Sequence, residues 1–60
     1  MNKTEKTADE LMAEAEKRLE EAYYLLNDAA AHTDDKYMRR SIMILRKIVS
    51  NARAAVGDFL

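Results

Sequence analysis

Apolar residues recur along this chain at alternating spacings of three and four, in two runs separated by a short polar break. This alternation is the heptad pattern of helices that pack side by side along their length. It predicts two helices, each with an apolar seam that must meet a partner. The seam positions are Ala8, Met12, Ala15, Leu19, Ala22, Leu26 and Ala29 in the first helix and Met38, Ile42, Leu45, Val49, Ala52, Val56 and Phe59 in the second.

Polar residues at two places predict where the helices begin. Thr7 and Glu10 fit a capping box, in which the threonine hydroxyl accepts a free backbone N–H and the glutamate reaches back to the cap. Thr33 or Asp34 can cap the second helix, with Asp35 in its first turn. Each seam is therefore preceded by a start signal of its own.

The chain has one glycine and no proline to mark the helix ends. Gly57 stands where a left-handed C-terminal cap is expected. We therefore predict one domain over 1–60, with a helix over about 5–31, a connection over about 32–35 and a helix over about 35–57. Because the connection is short, the helices should pack as an antiparallel hairpin, which is an all-α fold.

The small size of the chain predicts that this hairpin assembles with further helices. A domain of sixty residues buries only about 60% of its unfolded surface, and such domains usually need a disulfide, a metal or a partner subunit. The chain has no cysteine and a single histidine. We therefore expect a homo-oligomer in which two hairpins dimerise into a four-helix bundle, or a partner protein in place of the second hairpin.

An apolar arc wider than the seam indicates the candidate partner or dimer face. A helix that packs against two neighbours carries a wider apolar surface than a helix that packs against one. A partly apolar line flanks the seam on one side of both predicted helices, and it also contains Arg18 and Ser41. The candidate face consists of Leu11, Leu25, Tyr37, Ile44, Ile48 and Ala55.

Charge is divided unevenly between the two helices. Residues 1–32 carry eight acidic and four basic groups, whereas residues 36–57 carry six basic groups and no acidic one. The total nearly cancels, to a formal net charge of −1, so composition does not require a nucleic-acid partner.

The basic residues of the second helix allow two interpretations. In the first they complement the acidic helix, with Arg53 beside Glu16 in an ion pair and Arg46 beside Tyr23 in a cation–π contact. In the second they form a strip that binds the phosphates of RNA. The candidate nucleic-acid strip is Arg39, Arg40, Arg46, Lys47 and Arg53.

Residue types that catalysis or metal binding requires are sparse. His32 is a lone histidine in the connection, Ser41 and Ser50 have no second histidine to activate them, and one glycine cannot form a glycine-rich phosphate loop. We therefore expect no enzyme activity, cofactor, metal or small-molecule substrate. No apolar run is longer than five residues and the N-terminus has no signal-peptide pattern, so we expect a cytoplasmic protein without a membrane partner.

Two sets of residues carry a resemblance to a known family. They are Met1, Lys3, Glu5, Lys6, Thr7 and Ala8 at the start, and Leu26, Asn27, Ala31, Ala54, Gly57 and Asp58 further along. In these residues and in the register of the first seam, the chain resembles the Rop (Rom) plasmid copy-number regulators. The resemblance implies a hairpin that dimerises into an antiparallel four-helix bundle and binds paired RNA stem-loops across its first helices.

The functional residues of that family carry over in part. Lys3 matches one of its basic contacts. Where the family presents a polar and aromatic RNA-contacting face, this chain has Glu10, Glu14 and Arg18. Because acidic groups repel phosphates, this departure from the family's pattern leaves the implied fold in place, but the implied RNA binding does not follow.

A second similarity concerns the C-terminal end. Residues 55–60, Ala-Val-Gly-Asp-Phe-Leu, are similar to the small co-chaperones of type III secretion needle subunits, which are also antiparallel helical pairs. Three functions therefore remain open: a dimeric interaction module or adaptor for another macromolecule, an RNA-binding regulator of plasmid copy number, and a co-chaperone-like hairpin that binds a different protein.

Overall fold

A computed structural model describes residues 6–60 as two α-helices joined by a four-residue connection. Helix α1 spans Ala8–Ala31 and helix α2 spans Lys36–Gly57. Contacts between the helices run in opposite directions along the two sequences, so the pair is antiparallel and the predicted all-α hairpin is confirmed. The part of the first predicted helix that precedes residue 6 lies outside the described residues.

The start of α1 is fixed by the predicted capping box. The Thr7 hydroxyl accepts a hydrogen bond from the Glu10 backbone N–H at 3.2 Å, and the Thr7 N–H donates to the Glu10 carboxylate at 2.9 Å. Two donors that the helix leaves unpaired are satisfied in this way. Asp9 and Glu10 also place negative charge at the positive end of the helix dipole.

The start of α2 differs from the prediction by one or two residues. Asp35 is the N-cap, and its Oδ1 accepts the backbone N–H groups of Tyr37 at 2.8 Å and Met38 at 3.2 Å. Thr33 and Asp34 do not cap the helix. The Thr33 hydroxyl instead accepts the Asp35 N–H at 3.1 Å, which fixes the connection immediately before the cap.

The end of α2 contradicts the expected left-handed glycine cap. Gly57 has no positive φ angle, and the helix ends at Asp58 with φ −67° and ψ −18°. A Cβ atom at this position would lie 3.3 Å from the Glu16 Oε2 atom, which is the end of a flexible side chain that a small shift would move aside.

The seam of α2 divides into two rows in the folded chain. One row faces α1 and contains Ile42, which at 7% exposure is the one buried residue among residues 6–60, together with the half-buried Val49 and Val56. The other row remains largely open to solvent, and its exposed members are Met38, Leu45 and Phe59. The chain therefore closes one half of the predicted seam of α2 by itself.

The hairpin is a single layer of helix. Its principal extents are 49 × 24 × 13 Å, and a helix with its side chains is itself about 10–12 Å across. Globular domains are ordinarily built from two or more packed layers around a core. This hairpin therefore presents two broad faces, and neither is covered by another helix of the described chain.

Candidate interaction surface

The first broad face is held together by arginines of α2 that reach across to α1. We define the arginine face as Arg39, Arg46 and Arg53 with the α1 groups that they contact. The guanidinium of Arg46 lies 5.7 Å from the centroid of the Tyr23 ring and donates to the Asn27 side-chain oxygen. The predicted cation–π contact is confirmed, and it is combined with a hydrogen bond that the sequence did not indicate.

The ion pair of Arg53 is formed with a different glutamate than predicted. The Arg53 Nη2 atom lies 3.6 Å from Glu20 Oε2, one turn along α1 from the expected partner Glu16. Glu16 lies instead against Gly57. Both side chains of the pair are nearly half exposed, and such pairs stabilise a fold by at most about 1 kcal/mol.

Arg39 closes the end of the hairpin at the connection. Its Nε donates to the Ala30 carbonyl at 3.4 Å, and its Nη2 donates to the Thr33 carbonyl. The last carbonyls of a helix have no partner within the helix, and a cation is favourable at that end. Arg39 therefore binds the C-terminal end of α1 from the first turn of α2.

The candidate nucleic-acid strip is thus divided. Arg39, Arg46 and Arg53 contact α1 or the connection, although Arg53 alone of the three pairs with an acidic side chain there. The other two members, Arg40 and Lys47, lie seven residues apart on the outer side of α2 and are exposed. They border an open apolar groove whose remaining lining residues are Met43, Ile44, Ile48 and Asn51.

The second broad face is apolar and open. Leu25 is 67% exposed and Tyr37 is 83% exposed, and every other residue of the candidate partner face is exposed as well. Met38 and Leu45 extend this surface toward the middle of the hairpin, although the heptad pattern assigned them to the closed seam. We define the apolar face by its large side chains, which are Leu11, Leu25, Tyr37, Met38, Ile44, Leu45, Ile48 and Phe59.

The width of the apolar stripe on α2 already indicated that the open surface extends beyond the predicted partner face. An apolar stripe three rows wide on α2 exceeds what one neighbouring helix can cover, so one of its rows must lie outside the hairpin contact. Which row is left open depends on how α2 is rotated about its axis. In the structure the row of Ile42, Val49 and Val56 faces α1, and spacing alone does not define that rotation.

The ionisable groups of the described residues show no catalytic arrangement. No three of their His, Asp or Glu side chains converge as metal ligands, and the His32 Nδ1 atom lies 2.8 Å from the Asp28 carbonyl. The Glu14 carboxylate pairs with Lys6 at 3.0 Å, and this hydrogen-bonded ammonium lowers the Glu14 pKa below its ordinary value. Within residues 6–60, neither helix combines the length and hydropathy needed to cross a bilayer.

No protein-family model matches the chain, and no curated protein or solved structure is significantly similar to it. The arginine face and the apolar face are therefore interpreted from their own residues. The arginine face is engaged in holding the hairpin together, and the apolar face is the surface that the fold leaves open.

Proposed function

We propose that the protein is a non-catalytic interaction module whose apolar face packs against helices of another polypeptide to complete a four-helix bundle. One observation carries this proposal: the hairpin buries one residue of the described chain and exposes eight large apolar side chains on one face. Monomeric proteins rarely expose a contiguous apolar patch of this kind, and such patches mark interaction sites.

The energetics of the hairpin support the same function. Ordering a backbone costs about 1–2 kcal/mol per residue, and burial of a large apolar side chain returns about 1.5–3 kcal/mol. A layer with one buried side chain recovers little of this cost. A partner on the apolar face would bury its eight large side chains, so folding and binding are coupled in this proposal.

The divided basic strip makes RNA binding the less favoured alternative. Three of its five members have polar or aromatic partners within the chain, and acidic residues of α1 repel phosphates. RNA binding would also leave the apolar face uncovered.

Site-specific cross-linking in living cells that express the protein tests the proposal. A photoreactive phenylalanine analogue in place of Ile44, on the apolar face, should give protein adducts. The matched control places the same analogue at Tyr24, which is 58% exposed on α1 and outside the apolar face, and should give few adducts.

Adducts of any polypeptide from Ile44 alone, whether a second copy or another protein, support the proposed function. Equal yields from both positions, or no protein adduct at either, would contradict it. Nucleic acid that copurifies with the protein and is released steeply as salt rises would favour the RNA alternative, because phosphate contacts are strongly salt-dependent.

A further inference from the structure

We propose that the polypeptide on the apolar face is a second copy of this chain, and that α1 of each copy lies against α2 of the other. The proposal rests on the proposed function and specifies its partner. It follows from how charge is distributed over the two helices and along the two borders of the apolar face.

The two helices carry large opposite charges that the hairpin does not neutralise. Helix α1 has seven acidic and two basic side chains, and α2 has six basic and no acidic ones. Among residues 6–60, one ion pair joins the helices, between Arg53 and Glu20. Arg39 and Arg46 bond uncharged oxygens. Glu14 pairs with Lys6 and Glu21 with Arg18 at exposed positions on the α1 side. Even so, the two helices keep large net charges of opposite sign.

The borders of the apolar face have opposite sign and the same repeat. The α1 border is a row of carboxylates seven residues apart, Glu14, Glu21 and Asp28, and the α2 border is formed by Arg40 and Lys47, also seven apart. Seven residues of helix correspond to about 10.5 Å. An acidic border of one copy can therefore align with the basic border of another, charge against charge.

A two-fold dimer can bring these borders together in two ways. If like helices were adjacent, two strongly acidic helices would face each other and two strongly basic helices would do the same. If unlike helices are adjacent, two-fold symmetry makes the acidic-to-basic contact twice. Like-charge contacts at an interface are costly, so the alternation of α1 and α2 around the bundle is favoured.

The apolar face is large enough to form an interface with a second copy of the chain. From Tyr37 to Phe59 it extends along α2 for about 33 Å, which is six helical turns. A standard interface buries about 800 Å² of accessible surface on each partner. Eight large exposed side chains on each copy can form the apolar centre of an interface of that size. A lipid surface fits less well, because the acidic border of α1 would meet anionic headgroups.

Reversal of the two borders tests the arrangement with purified protein. Variant R40E/K47E makes both borders of the apolar face acidic, and variant E21K/D28K makes two of the three residues of the α1 border basic. Each variant alone should associate about tenfold or more weakly than the parent chain, because several border pairs turn repulsive at once. An equimolar mixture of the two should restore association, because every reversed pair becomes attractive again.

Sedimentation velocity over a range of concentrations measures association, and circular dichroism of the mixture shows that both variants can fold. The control K17E/K36E makes the same change in net charge as R40E/K47E, on exposed residues that belong to neither border as defined, and should associate like the parent. If the helix content and the sedimenting mass both recover in the mixture, the weak association of each variant alone is due to its changed border and not to misfolding.

Three outcomes would overturn this inference. Variants that associate as strongly as the parent would show that like helices are adjacent or that the borders do not meet. A parent chain that stays monomeric while Ile44 cross-links to a different protein would remove the second copy and leave the proposed function intact. A monomer that binds phosphatidylserine vesicles would assign the apolar face to a lipid surface.

Discussion

At the scale of single residues, the same residue type serves different purposes according to its position. Arg46 lies over an aromatic ring and bonds an amide, Arg53 pairs with a carboxylate, and Arg39 binds carbonyl groups at a helix end. All three lie on one row of α2, seven residues apart. Such a row is not a phosphate-binding strip merely because it is basic, since each guanidinium already has a partner.

A residue-scale prediction concerns Glu14. The ammonium of Lys6 stabilises the charged form of this carboxylate, so the Glu14 pKa is lower in the folded chain than in the unfolded chain. The pair therefore stabilises the fold at pH values above the unfolded-state pKa. This stabilisation is lost as the pH falls through the folded-state pKa. NMR titration should place the Glu14 midpoint below 4.5. In Lys6→Gln the midpoint should rise, and an unchanged midpoint would show that Lys6 does not pair with Glu14 in solution.

At the scale of the helices, caps decide where α1 and α2 begin. The capping box of α1 follows directly from the spacing of Thr7 and Glu10. Before α2, three neighbouring residues are all competent caps, and the structure uses the last of them, Asp35. The choice depends on the direction in which α2 leaves the connection, which in turn depends on packing against α1.

The helix-scale prediction separates these neighbouring aspartates. Asp35→Ala removes an oxygen that accepts two backbone N–H groups, so it should cost about 1 kcal/mol and lower the melting temperature by about 4–8 °C. Asp34→Ala is the matched control and should change it little. Thermal unfolding at one fixed protein concentration measures both variants, and equal losses would contradict the assignment of the cap.

Much of the hairpin follows from its sequence. Strict spacings of three and four predict two helices, and a short polar connection makes them antiparallel. The spacings do not give the rotation of each helix about its axis. Arg53 consequently pairs with Glu20 and not Glu16, and Leu45 is exposed although it occupies a seam position. The open face was predicted at Ile44 and Ile48, whereas its extension to Met38 and Leu45 required the structure.

At the scale of the whole molecule, the hairpin is too thin to enclose its apolar side chains. A layer 13 Å deep leaves its apolar side chains next to solvent on at least one side. In the proposed dimer, stability depends on the copy that covers the apolar face, and a measurement on the isolated chain would report association together with folding.

The whole-molecule prediction is that the melting temperature rises with protein concentration. Mass action stabilises a folded state that binds its own kind, by about 2.7 kcal/mol for a hundredfold excess over the dissociation constant. A hundredfold increase in concentration should therefore raise the midpoint by several degrees. A midpoint independent of concentration would show that the hairpin unfolds as a monomer.

The hydrogen bonds that Arg39 makes at the connection have a practical consequence for labelling this protein. Connections between antiparallel helices are the customary place to insert a tag, because exposed loops tolerate added residues. Here a guanidinium at the start of one helix holds carbonyls of Ala30 and Thr33 across that connection. An insertion there would separate the guanidinium from both oxygens, so the connection is a poor position for a label.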